Sequence, residues 1–119
     1  MPQFMMMIKM REDAGDPPPE LYAAMGTYIA EAMGTGKIVT MGGLLPSSQG
    51  ARVSSSDGKV ITTHGPFTET TELIGGYAIL EAASLDEAVA EATAFMQLHV
   101  DNWPGFEGTS EVRQVMAQG

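Results

Sequence analysis

Phe4, Met6, Ile8 and Met10 alternate with Met5, Met7 and Lys9. Period-two alternation predicts a strand, and the methionines in the second register make both of its faces apolar. Gly15-Asp16-Pro17-Pro18-Pro19 breaks the pattern, and prolines of fixed φ prepare a helix start. From Glu20 to about Gly34 the period changes: Leu21, Met25, Tyr28, Ile29, Ala32 and Met33 recur at helical spacing, with Glu20, Thr27 and Glu31 elsewhere on the wheel. Gly34 and Gly36 end this helix.

Lys37 to Leu45 reads as a second strand, in which Gly42-Gly43 marks a bulge or a close approach of backbone. After a loop over Pro46 to Gly50, the β-prone runs Ala51–Ser55 and Lys59–Thr63 flank Ser56-Asp57-Gly58, a strong hairpin signal. Leu73 to Glu81 is again a strand with apolar residues on both faces, through Ile74, Tyr77, Ala78, Ile79 and Leu80. Ser84-Leu85-Asp86-Glu87 is a capping box, opening a helix whose stripe is Leu85, Ala88, Val89, Ala92, Phe95 and Met96. A turn through Asn102, Pro104 and Gly105 leads to a last strand, Ser110 to Met116, anchored by Val112 and Val115.

The predicted order is therefore β-α-β, a hairpin, then β-α-β. Two helices cover one face of a four-stranded sheet. The other face keeps apolar residues from the first strand and the Ile74–Leu80 run, so it needs a partner, and a second copy packing sheet to sheet is the simplest closure.

Composition narrows the choices. The 119 residues make one domain spanning 1–119, with 44% apolar and 18% charged residues. No apolar run approaches the roughly 18 residues of a membrane span. The start of the chain lacks the pattern of a signal peptide, so a cytoplasmic location and no membrane partner are expected. Cysteine is absent, which excludes thiolate chemistry and disulfides. The net charge of −9 and six scattered basic residues argue against nucleic acid as a partner. The ten methionines read as adaptable core filler.

The stretch from His64 to Tyr77, His-Gly-Pro-Phe-Thr-Glu-Thr-Thr-Glu-Leu-Ile-Gly-Gly-Tyr, resembles the signature of the YCII-related, or DGPF, family. Gly65-Pro66-Phe67, Glu69, Glu72 and Gly75-Gly76-Tyr77 stand in its register, and the capped helix follows at the family's spacing. The resemblance implies a ferredoxin-like antiparallel sheet with two helices on one face and an inserted hairpin, pairing as a dimeric α/β barrel. Two positions depart from the pattern: His64 replaces the leading Asp, and Thr71 replaces a common Lys.

His64, at a strand end before a Gly-Pro turn, is a candidate proton shuttle, although a histidine there also orders turns. His99 falls in the last turn of the second helix, where the helix dipole alone favours an imidazolium. Its functional alternative is a pocket that it lines with Trp103 and Phe106. Glu69 is the carboxylate candidate for orienting a proton transfer. Phe67, Tyr77, Trp103 and Phe106 are the candidate ligand contacts. No His-x-x-x-His or Glu-x-x-His spacing points to a metal, and Gly42-Gly43 and Gly75-Gly76 lack the context of a phosphate loop, so no cofactor is expected.

Two functional readings stand. The first is a small-molecule-binding or regulatory protein, a dimer with its pocket among sheet, signature loop and C-terminal loop. The second is a cofactor-independent lyase or hydrolase-type enzyme using His64 or His99 for proton transfer. A purely structural interaction domain is a third, and it would have a filled interior.

Overall fold

The computed structural model describes residues 1–67 and 73–117. Eight principal elements follow in order: β1 (Gln3–Met10), α1 (Pro19–Gly34), β2 (Ile38–Gly43), β3 (Ala51–Ser56), β4 (Lys59–His64), β5 (Leu73–Glu81), α2 (Leu85–Asn102) and β6 (Gly108–Gln114). Four of the strands form an antiparallel sheet in the order β2-β5-β1-β6, while β3 and β4 pair with each other as a separate two-stranded sheet. The fold is α+β and ferredoxin-like, as the resemblance implied.

Local chemistry explains where the elements begin and end. Pro19 opens α1 at a position that needs no N–H donor. At its far end Lys37 N–H donates to Ala32 O at 2.9 Å and Gly36 N–H to Met33 O at 3.1 Å. These two bonds, with Gly36 at φ 79°, are a Schellman closure that satisfies the last carbonyls. The capping box forms at the start of α2: Ser84 Oγ accepts from Glu87 N–H at 3.2 Å, and the Glu87 carboxylate accepts from Ala83 N–H at 3.1 Å. Asp57 and Gly58, at φ 51° and 75°, make the left-handed two-residue turn that suits a hairpin's twist.

Both Gly-Gly pairs have a spatial reason. Ile8 pairs with Gly76 and Lys9 with Ile74, so Gly75 is the extra residue of a bulge in β5. Gly42 is a close approach: a Cβ there would lie 3.0 Å from the Tyr77 ring, which rests across the β2 backbone.

The core lies between the helices and one sheet face. Met6, Ile8, Ile38, Ala78 and Leu80 from the sheet meet Ala32 of α1 and Ala92 and Phe95 of α2. A smaller cluster of Phe4, Ala82 and Ala88 continues it under β6, joined through Val112. The last strand runs two residues earlier at each end than the apolar pattern predicted. Val112 is its anchor, whereas Val115 lies beyond the strand and is partly exposed. The helical stripes are also narrower than predicted, since Leu85, Val89 and Met33 are exposed.

The opposite sheet face has no layer over it among the described residues. Alternation places Met5, Met7, Tyr77 and Ile79 there, all half-buried by their neighbours alone. At its margin Lys9 Nζ donates to Glu111 Oε1 at 2.9 Å. The molecule is consequently a slab, 45 × 43 × 20 Å.

Candidate functional site

A cavity of about 660 Å³ opens between α1, the helix-facing side of the sheet, and the loops that follow β1 and β2. Its volume is within the range of small-molecule sites. Met6, Ile8, Leu21, Met25, Met41 and Phe95 give it an apolar wall, and Arg11, Glu12 and Asp16 lie along it as charged groups. The methionines read as core filler have this second placement: Met10 also borders the cavity.

His99 and Trp103 both line this space. The side chains at 95, 99 and 103 recur every four residues, so α2 and its C-terminal cap present three rings along one line. His99 is 6% exposed, and its Nδ1 lies 2.9 Å from Phe95 O, one turn back. A carbonyl oxygen only accepts, so the proton of that bond belongs to Nδ1. The imidazole meets Phe95 edge-on at 5.1 Å between centroids and Phe106 at 4.9 Å. Phe106 also stacks on Trp103 at 5.3 Å. The ring row continues from Phe95 to Tyr28 of α1 at 5.6 Å, so His99 belongs to an aromatic ladder joining the two helices to the C-terminal loop.

The other expected site residues are placed differently. Phe106 supports His99 and Trp103 but is not among the cavity's lining residues. Tyr77 borders the cavity, yet strand alternation carries its ring to the far face, over Gly42. His64 ends β4 as an exposed residue away from the cavity. It pairs with Ala51 and shares the hairpin face of Val53 and Val60. Phe67 lies under the Arg52 guanidinium, 4.0 Å from ring centroid to Cζ, again outside the cavity. Glu69, Thr71 and Glu72 lie outside the described residues. Of the residues singled out in sequence, the structure thus brings His99 and Trp103 together at the cavity and sets His64 apart from them.

A polar knot that the sequence did not reveal ties the signature to the rest of the chain. The Glu12 carboxylate accepts both the N–H and the hydroxyl of Ser47, and Ser47 Oγ accepts from Phe67 N–H at 3.0 Å. Gly50 N–H donates to Ser47 O at 2.9 Å, and Gly65 N–H to Gly50 O at 2.9 Å. A Cβ on Gly65 would stand 1.7 Å from Ser47 O, so the glycine of the signature is there for space, not for a positive φ. The residues come from three separate loops, and no spacing in the chain announces their meeting. Arg11 near the cavity is held by Asp13, with N–H to carboxylate distances of 2.8 and 2.6 Å. Those bonds also keep the Asp13 carboxyl below its ordinary range.

The described residues contain no group of three His, Asp or Glu arranged to hold a metal ion, and no helix long and apolar enough to cross a membrane. The arrangement defines a small ferredoxin-like α+β protein with an apolar cavity and one buried imidazole in its wall. The chain belongs to the YCII-related family, whose domain profile matches residues 2–98. It is also similar to an uncharacterized protein of Rhizobium meliloti (strain 1021), 39% identical over 54 residues. That stretch covers 45% of this chain and 44% of the relative.

Proposed function

We propose that this chain is a cytoplasmic, dimeric small-molecule-binding protein whose ligand occupies the cavity between helices and sheet. The observation that carries the reading is the cavity itself: about 660 Å³, mostly apolar, with buried His99 and Trp103 in its wall. A purely structural domain of this size would close such a space with side chains, because protein interiors pack to high density. The dimer is supported by the uncovered sheet face, where Met5, Met7, Tyr77 and Ile79 have no second layer among the described residues. Hairpin residues Val53, Val60 and Ile61 are likewise exposed, and a lone two-stranded arm has little stability of its own. A regulatory role is consistent with binding that needs no cofactor.

The neutral probe N-phenyl-1-naphthylamine tests the cavity, with Trp103 as the chain's single tryptophan reporter. Saturable binding that quenches Trp103 is expected, and Met25→Phe, which narrows the cavity without adding a second tryptophan, should weaken it. Binding that is absent, or indifferent to Met25→Phe in a folded protein, removes the proposal.

The enzymatic alternative is a lyase or hydrolase-type reaction without cofactor. Its support is the His99 imidazole at the cavity wall, since a ring nitrogen beside a bound molecule is in position to move a proton. His64 gives this alternative less support, being exposed on the hairpin.

A further inference from the structure

We infer that the cavity selects neutral, largely apolar molecules that present one hydrogen-bond donor, a hydroxyl or N–H, to His99 Nε2. This rests on the cavity being the binding site and specifies what the site takes.

The argument begins with the tautomer. Nδ1 is 2.9 Å from the Phe95 carbonyl and must donate, so in the neutral ring Nε2 carries a lone pair and no proton. The imidazole is 94% buried by the converse of its 6% exposure, and it makes no other hydrogen bond among the described residues. Phe95 and Phe106 hold the ring by its faces and edge. With Nδ1 turned back onto its own helix, Nε2 is the polar atom that His99 offers to the cavity. An acceptor in an apolar wall rewards a donor and penalises anything that leaves it unpaired.

Charge sets the remaining preference. With the imidazole neutral, a carboxylate or phosphate would face a lone pair at His99 and the acidic Glu12 and Asp16, while Arg11, the one Lys or Arg along the wall among the described residues, is engaged by Asp13. An ammonium would be an adequate donor, but its charge would be buried against Met6, Met25 and Phe95. A neutral donor on an apolar body avoids both costs.

The test compares indole with 1-methylindole, in which a methyl group replaces the donor hydrogen, in titrations of the full chain at pH 8 followed by ¹H–¹⁵N correlation spectra. Indole should bind roughly three- to tenfold more tightly, the scale of one net hydrogen bond, and His99→Phe should bring the two ligands level. Equal affinities for the native chain would overturn the inference while leaving the cavity a binding site. A preference that persists in His99→Phe would overturn it as well. If neither ligand perturbs the Trp103 signals, the inference falls together with the binding reading. A measurement without any variant checks the premise: long-range ¹H–¹⁵N spectra of the imidazole should show the proton on Nδ1, and a proton on Nε2 in the neutral ring would overturn the inference.

Discussion

Gly65 shows how much of the signature is steric. Its place against Ser47 O leaves no room for a methyl group, although its backbone conformation is open to any residue. Gly65→Ala must push the Ser47 loop away, breaking the chain of bonds from Glu12 through Ser47 to Phe67. The expected cost is about 1–3 kcal/mol, typical of overpacking, read as a lower urea midpoint with unchanged slope. Native-like stability for Gly65→Ala would mean that the contact with Ser47 is easily relieved. His64, beside it in sequence, has no comparable constraint: it is an exposed partner of Ala51 at the end of a hairpin. Neighbouring residues of one motif thus have separate jobs.

Between elements, Glu91 joins α2 to two others. Its carboxylate accepts from the Tyr28 hydroxyl of α1 and from Lys37 Nζ, just before β2, at 3.0 Å. Burial pushes this carboxyl up, but the Tyr28 and Lys37 bonds outweigh burial and hold it below the usual carboxylate range. Burial, reinforced by the same contact, raises the Tyr28 phenol. A carboxyl depressed in the folded state stabilises it above the unfolded pKa, about 4.3 for Glu, and that contribution is lost as pH falls through the lower folded value. Glu91→Gln should therefore cost about 1 kcal/mol at neutral pH, discounted for partial exposure. The gap between variant and native chain should close as the pH of unfolding is lowered from about 4.3, the unfolded value, through the lower folded value. A gap independent of pH would show that shape, not charge, matters at this junction.

At the scale of the molecule, the described residues form one helix layer on one sheet layer, which leaves the apolar side chains of the other sheet face without cover. Sheet-to-sheet pairing of two copies would bury Met5, Met7, Tyr77 and Ile79 from each. Light scattering in dilute solution should then give twice the 12.6 kDa chain mass. Met7→Lys, placing a charge at the centre of that face, should shift the population to monomers while leaving the helix-side core intact. A native chain that scatters as a monomer would end the dimer reading without touching the cavity, which lies on the other face.

Much of the architecture was legible in the chain because its signals are local. The change of period from two to about 3.6, the capping box at Ser84 and the Asp57-Gly58 turn each depend on residues a few positions apart, and all stand where they were expected. The site was legible only in part. His99 and Trp103 share one helix end, so a four-residue spacing could bring them together in thought before it did so in space. Tertiary structure decided the rest: that His64 lies away from them, that Phe106 stands behind the wall, and that Glu12, Ser47 and Gly65 form one knot. Periodicity specifies which face of an element is apolar. Which loops then meet, and whether their meeting leaves a cavity, depends on packing between residues far apart in sequence, and no local pattern encodes it.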